Sequence, residues 1–274
     1  MKQYIISKVL NNNVVVAEEN KENLILVGNG IGFGKKKGEK ILENQVESIF
    51  IEKSSTQKGF ESVLNKIDKE IVGICEEIIS MCESELNMTL NDTIHVSLAD
   101  HINFAFYRVK NNIKIENPFL SELRILYSKE YELAEKALGM INKNFHIKLP
   151  KDEVGFICMH INSAISRKPV ADTLAFTKNI GSIMEFICLI IKKDLKKDSL
   201  AYMRTVTHIK FVVDRVINKK TIHNYLLDNI KKELYNEYAL AIKVAIKIEN
   251  LFSVNVCEDE VGYIALHLQR LKEV

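Results

Sequence analysis

Leu98-Ala99-Asp100-His101-Ile102-Asn103-Phe104-Ala105-Phe106-Tyr107-Arg108 returns later in the chain as Arg204-Thr205-Val206-Thr207-His208-Ile209-Lys210-Phe211-Val212-Val213-Asp214-Arg215, and this recurrence decides the fold. The shift is 107 residues (208 − 101). Carried forward without a gap, it superposes Asp152-Glu153-Val154-Gly155-Phe156-Ile157-Cys158-Met159-His160 on Asp259-Glu260-Val261-Gly262-Tyr263-Ile264-Ala265-Leu266-His267, with six of nine residues identical. Each copy holds two histidines 59 apart (160 − 101 and 267 − 208). Asn117 and Asn224, Glu130-Tyr131 and Glu237-Tyr238, and Ala134 and Ala241 fall on the same shift. Self-similarity at a fixed spacing means that one supersecondary unit has been used twice.

Helical periodicity runs through both copies. Ile67, Ile71, Ile74, Cys75, Ile78 and Ile79 form an apolar stripe that predicts a helix over about residues 60 to 86. Asn91-Asp92 is a cap for the next helix, which carries His101 to Arg108. Pro118 and Pro150 mark two more boundaries, and the last helix of the first copy passes through His160 to about Arg167. Lys168-Pro169-Val170-Ala171-Asp172 reads as a linker, after which helices are expected over residues 173–194, 199–215, 222–249 and 258–272. The expectation is two homologous all-α bundles, over 60–168 and 172–274.

Residues 1–55 differ in kind. Tyr4-Ile5-Ile6, Val14-Val15-Val16-Ala17, Leu24-Ile25-Leu26-Val27 and Ile31-Gly32-Phe33 are separated by turn-forming residues, so four short antiparallel strands are expected. Gly28, Gly30, Gly32, Gly34 and Gly38 gather around Phe33 and Lys35-Lys36-Lys37. Missing side chains let backbone approach a ligand, an aromatic ring offers a stacking face, and lysines attract phosphates. The alternative is a turn with a solvated lysine face. A dinucleotide fold is disfavoured, since G-x-G-x-x-G should follow a strand and open a helix, and here Lys-Lys-Lys-Gly-Glu-Lys follows.

Lys plus Arg (38) nearly cancel Asp plus Glu (36), so any basic surface is local. Five cysteines without a C-x-x-C pair suit buried thiols in a reducing cytoplasm. No apolar run suggests a membrane span, and Met1-Lys2-Gln3-Tyr4 lacks a signal-peptide core.

Four repeated histidines admit three readings: rings packed in helical cores, metal ligands, or phosphoryl acceptors. Arg108 follows His101 by seven residues, as Arg215 follows His208, so each guanidinium lies near its histidine's face and can lean toward a phosphate there. Glu153 precedes His160 by seven, as Glu260 precedes His267, making both carboxylates candidates for orienting a ring, together with Asp100. Metal is disfavoured because Thr207 replaces Asp100 in the second copy and no close His or Cys spacing suits zinc. His95, His146 and His223 lack repeat partners and read as surface or packing residues.

Lys8-Val9-Leu10-Asn11-Asn12-Asn13-Val14-Val15-Val16, followed by Gly28-Asn29-Gly30-Ile31-Gly32-Phe33-Gly34-Lys35-Lys36-Lys37-Gly38-Glu39, resembles the co-antiterminator RNA-binding domain of sugar-operon antiterminators of the BglG/SacY/LicT family. The resemblance continues to the last residue, both histidine-bearing copies being similar to that family's phosphotransferase-system (PTS) regulation domains. It implies a cytoplasmic homodimer whose small sheet grips an RNA hairpin, the ribonucleic antiterminator, and so prevents a terminator from forming. Matched by motif, Asn11, Asn13, Gly28, Asn29 and Phe33 are implied RNA contacts, with Lys8, Lys35 and Lys36 as phosphate partners. Asn29 departs from the basic residue usual in the family. His101, His160, His208 and His267 match the histidines phosphorylated by the carrier HPr and a sugar-specific enzyme II. The resemblance implies a regulator without catalytic turnover, with no cofactor, metal or membrane insertion. The competing expectation is a metal-dependent or phosphotransfer enzyme built on duplicated bundles.

Overall fold

A computed structural model of the chain describes residues 3–9, 14–19, 22–28, 30–46, 48–51 and 67–273. Asn11, Asn13 and Asn29 lie outside the described residues. Five strands come first: β1 (Gln3–Val9), β2 (Val14–Glu19), β3 (Glu22–Val27), β4 (Lys40–Leu42) and β5 (Ser48–Ile51). They form one antiparallel sheet in the order β4-β1-β2-β3-β5. Side chains alternate along a strand. Tyr4 and Ile6 therefore turn into a core with Val15, Ala17, Leu24, Leu26, Ile31 and Ile41, while Ile5 between them is 52% exposed. Register slips between Ile6 and Lys8, where Ser7 Oγ donates to the Val16 carbonyl at 3.0 Å.

Ile31-Gly32-Phe33, expected as a strand, is a turn; β4 and β5 supply the extra pairings, making five strands rather than four. Gly30 and Gly34 flank that turn at φ +69° and +67°, a region L side chains rarely adopt, and their positions force the chain to fold back. Gly28 answers to packing instead: a Cβ there would stand 2.3 Å from the Gln45 carbonyl oxygen.

Helices follow: α1 (Lys69–Leu86), α2 (Thr93–Lys110), α3 (Leu120–Leu126), α4 (Ser128–Asn144), α5 (Glu153–Ser166), α6 (Val170–Ile191), α7 (Leu200–Ile217), α8 (Leu227–Glu233), α9 (Tyr235–Phe252) and α10 (Glu258–Glu273). The chain divides into two compact units, 1–117 with 130–168, and 118–129 with 169–274.

In the first unit the predicted stripe is realised, with Ile71, Ile74, Cys75, Ile78 and Ile79 of α1 all buried. The helix starts at Lys69, where Asp68 accepts from the Glu70 amide at 3.0 Å; residues 60–66 of the expected helix lie outside the described residues. α1 packs on α2, and α2 on α5.

The second unit holds α6 to α10. The single helix expected over 222–249 is two, broken at Leu234 (φ −115°, ψ 42°). The same break falls at Tyr127 (φ −134°, ψ 53°), its partner by the 107-residue shift. α6 is long and apolar enough to cross a membrane by length and composition, which the sequence reading did not anticipate. In this fold it places Ile180, Ile183, Met184 and Ile187 in the second bundle's core. α3 belongs to the same unit: Leu126 joins that core, and Glu122, 1% exposed, accepts from Tyr202 Oη and pairs with Lys197 Nζ at 3.0 Å. A buried carboxylate of this kind is tolerable only with such partners.

His95 of α2, without a counterpart in the second copy, lies 2.7 Å from Glu76 of α1 through Nδ1, and both are buried. Burial pulls the imidazole down, yet the Glu76 hydrogen bond and charge, aided by Asp92 and Glu83, outweigh it and leave His95 above its ordinary value. A histidine raised in the folded state stabilises fully below its ordinary 6.5, and that stability is lost as pH climbs through the raised value. The thermal midpoint of the wild type is accordingly expected to fall between about pH 6 and pH 9, while Glu76→Gln, destabilised by roughly 3 kcal/mol at the lower pH, gives a flatter profile. Parallel melting curves across this range would count against the pair.

Candidate functional site

α2 and α5 bring the first histidine pair together because the residues that bury them, Leu98, Ala99, Ile102 and Ala105 on α2 and Ile157, Cys158 and Ile161 on α5, lie on the packed faces of both helices. His101 and His160, 59 residues apart, end with ring centroids 4.9 Å apart. In the second bundle α7 and α10 do the same more tightly, stacking His208 on His267 at 3.6 Å.

A loop anchor sets each pair. The Asn117 amide donates to Asp152 Oδ1 at 2.7 Å, and the Asn224 amide to Asp259 Oδ1 at 2.8 Å. Each aspartate immediately precedes the glutamate of its site, so the anchor fixes where that carboxylate enters the bundle. Both asparagines are buried, and the repeated Ala134 and Ala241 are fully so. The repeated Glu130 accepts from Asn162 Nδ2 at 3.2 Å, and Glu237 from Lys272 Nζ at 2.6 Å.

From here the two sites diverge. In the first, Glu153 has no solvent exposure, and its two oxygens are divided: His101 Nε2 donates to Oε2 at 2.7 Å and Arg108 to Oε1 at 2.9 Å. Glu153 therefore holds the histidine across the bundle, His101, rather than its own helix neighbour His160. Ser97 Oγ lies 3.3 Å from His160 Nδ1. Burial, then the facing His101, pushes His160 down to about 3, so its ring is neutral at physiological pH. The Arg108 guanidinium sits 5.2 Å from the Phe104 ring centroid and 5.7 Å from that of Phe156, and its buried Nε has no partner in the described structure.

In the second site Glu260, 1% exposed, spends both oxygens on Arg215, accepting from Nε at 2.6 Å and a terminal nitrogen at 2.7 Å. This planar fork leaves nothing for a histidine, and neither the His208 nor the His267 ring makes a hydrogen bond among the described residues. Burial lowers His208, as do Arg270, Arg215 and Arg204. Burial, then His208 and Arg270, brings His267 down to about 4. Asp100 is exposed and makes no hydrogen bond or ion pair with either ring of the first pair among the described residues. Sequence reasoning passed over Ser97, Arg204 and Arg270, although Arg204 and Arg270 stand one helical turn from His208 and His267.

Among the described residues no group of three or more His, Cys, Asp or Glu side chains is arranged to hold a metal ion. A neutral imidazole beside a guanidinium instead suits an incoming phosphoryl group: the ring nitrogen has a lone pair to give and the cation receives the charge that arrives.

On the sheet, Phe33 stands 73% exposed on its glycine-flanked turn, with Lys36 and Lys37 also exposed. Lys35 pairs with Glu39 at 3.5 Å, Lys8 is exposed at the β1 bulge, and Gly28 is buried under Gln45.

A glycine-turned sheet with a local lysine run, followed in sequence by two helical bundles each built round a histidine pair, defines a modular regulator of duplicated design. Residues 4–59 match the CAT RNA binding domain, and residues 76–164 and 181–271 match the PRD domain. The chain is 34% identical over 271 residues to the transcription antiterminator LicT of Bacillus subtilis (strain 168), covering 97% of this chain and 98% of that protein. It is 32% identical over 280 residues to protein GlcT of Staphylococcus saprophyticus, covering 100% and 99%. The crystal structure of GlcT CAT-PRDI is similar with TM-score 0.51 and 39% identity, over 60% of this chain and 98% of that one. The chain belongs to the family that joins a CAT RNA-binding domain to two PRD domains, with LicT and GlcT as relatives.

Arg108→Ala would leave Glu153 buried without a cation and is expected to destabilise the first bundle by about 3–5 kcal/mol. Urea denaturation checks this; a loss under about 1 kcal/mol, the range of exposed ion pairs, would mean that water reaches the carboxylate.

Proposed function

We propose that the chain is a transcription antiterminator that binds an RNA hairpin in the leader of a sugar-utilisation operon and prevents a terminator from forming, under the control of PTS-dependent histidine phosphorylation. The carrying observation is that residues 4–59 match the CAT RNA binding domain and residues 76–164 and 181–271 the PRD domain, in a chain aligned over 97% of its length with a transcription antiterminator. The functional modules are 1–55, 60–168 and 172–274, working as a cytoplasmic homodimer. Phe33 stacks on an RNA base, Lys8, Lys35 and Lys36 meet phosphates, and the amides of Asn11, Asn13 and Asn29 reach base edges, while Gly28, buried under Gln45, shapes the chain before the turn and does not touch the RNA. The exposure of Phe33 supports the first of these roles.

His101, His160, His208 and His267 accept phosphoryl groups from the carrier HPr or from a sugar-specific enzyme II. A phosphoryl group adds about 1.5 to 2 negative charges at pH 7. Placed on a half-buried ring between packed helices, such charge attracts the neighbouring arginine and alters the bundle surface, which shifts a subunit equilibrium. The chain is a substrate of its donors and a regulator, not a catalyst.

The full-length chain is expected to bind a hairpin from its own leader transcript in preference to duplex DNA of the same sequence, and Phe33→Ala to weaken RNA binding by about 1–3 kcal/mol with an unchanged melting temperature. Tighter binding to the duplex would remove the RNA reading. After incubation with phosphorylated HPr and the permease, acid-labile label is expected on the four histidines; label confined to other residues would remove the PTS part.

A further inference from the structure

Repeat symmetry exposes a difference in what surrounds the two histidine pairs. On α7, Arg204, His208 and Arg215 stand four and seven residues apart, an eleven-residue span close to three helical turns, and so share one face. On α10, Arg270 stands one turn beyond His267, whose ring stacks on His208. Shifted back by 107 residues, Arg215 becomes Arg108, but Arg204 becomes Ser97 and Arg270 becomes Ser163. The first pair thus faces one arginine and two hydroxyls where the second faces three arginines.

These hydroxyls are occupied in the first bundle: Ser97 Oγ lies within reach of His160, and Ser163 Oγ donates to the Lys168 carbonyl. Arg204 and Arg270 are exposed and make no ion pair among the described residues. Arg215 is held by Glu260 through Nε and one terminal nitrogen, which fixes the guanidinium plane and leaves its remaining terminal nitrogen to another acceptor. Three arginines thus stand on the helix faces that carry His208 and His267, all near enough for their charge to act on the His208 ring, and offer planar donors for the oxygens of one phosphate.

We propose that Arg204, Arg215 and Arg270 form a phosphoryl-binding cradle around His208 that makes the second histidine pair the preferred phosphoryl acceptor of the chain. This deepens the acceptor reading above and rests on it. In the transfer, the lone pair of a His208 ring nitrogen forms the new N–P bond while the P–N bond to a phosphoramidate-type donor breaks. The electron pair returns to the donor nitrogen, and the proton on the other ring nitrogen of His208 passes to solvent. The arginines act twice, adding to burial in favouring the neutral ring whose lone pair is available, and neutralising the phosphoryl oxygens as they arrive. In the first pair His101 is already tied to Glu153 through Nε2, and no arginine beyond Arg108 stands at the equivalent places.

The test uses the full-length chain and potassium phosphoramidate, a small phosphoryl donor that needs no protein docking, with phosphohistidine mapped by mass spectrometry at alkaline pH. In the wild type, His208 is expected to label faster than His101. The double variant Arg204→Ser with Arg270→Ser, which installs the residues of the first copy, is expected to slow His208 labelling about tenfold or more while His101 is unaffected. Both arginines are exposed, so the melting temperature should not move. Arg204→Lys with Arg270→Lys keeps the charge but loses the planar fork and should fall between. A serine variant that labels His208 at the wild-type rate overturns the cradle and leaves the acceptor reading standing. A wild type that takes label on none of the four histidines overturns both.

Discussion

A carboxylate sealed from water has to be matched by a cation and by hydrogen bonds, or the helix that carries it cannot pack. Glu153 and Glu260 are such groups, 0% and 1% exposed, each in the first turn of the last helix of its bundle. From this requirement the neighbouring placements follow. The aspartate before each glutamate fastens the loop at Asn117 or Asn224, so the helix enters at a fixed depth. The arginine on the facing helix is drawn to the carboxylate at the seven-residue spacing that also sets it beside a histidine. Each histidine pair thus stands beside the carboxylate–arginine lock of its bundle, though only His101 is bonded to it.

The lock closes in two ways, and the difference lies in how the arginine presents itself. Arg215 engages both carboxylate oxygens with Nε and a terminal nitrogen. Arg108, lying near Phe104 and Phe156, gives one terminal nitrogen to a single oxygen and leaves its own Nε without a partner. The second oxygen of Glu153 is then free for His101. One unmade hydrogen bond on Arg108 accordingly goes with one made by His101. Two copies that align residue for residue at Asp-Glu-Val-Gly therefore hold their histidines in different conditions, one tied to the carboxylate and one with the rings stacked on each other and no hydrogen bond among the described residues.

Much of this was legible in the sequence, and the limits have physical causes. Duplication fixed the pairing of histidines, since two segments that recur at one shift must repeat their mutual packing, and the α1 stripe at Ile71, Ile74 and Ile78 was readable because helical burial has its own period. The glutamate's partner was not readable. Spacing along one helix shows which residues share a face, so it joined Glu153 to His160; the contact to His101 crosses between helices and depends on a rotamer that periodicity does not record. Ile31-Gly32-Phe33 read as a strand because its apolar residues alternate, but two flanking glycines at positive φ turn the chain before a ladder can form.

α3 marks where repeat symmetry itself stops being informative. The 107-residue shift lays Leu120–Leu126 on Leu227–Glu233, and both become short helices ended by the same backbone break, so local structure obeys the repeat. Packing does not: α8 rests on α9 and α10, whereas α3 is packed against α6 and α7. The cause is visible in side chains that the repeat does not share. Tyr202 and Lys197 meet Glu122, and Lys210 Nζ donates to the Leu126 carbonyl at 2.8 Å while lying 5.8 Å from the Tyr127 ring centroid. Their counterparts one repeat earlier are His95, Leu90 and Asn103, and His95 turns to Glu76 instead. A seven-residue helix is too short to hold its conformation alone; its location is decided by whichever bundle offers a phenol and two ammonium groups to a carboxylate and to its last carbonyl. Duplication supplied the helix twice, and three substitutions on α7 and the segment before it determined where the first copy packs.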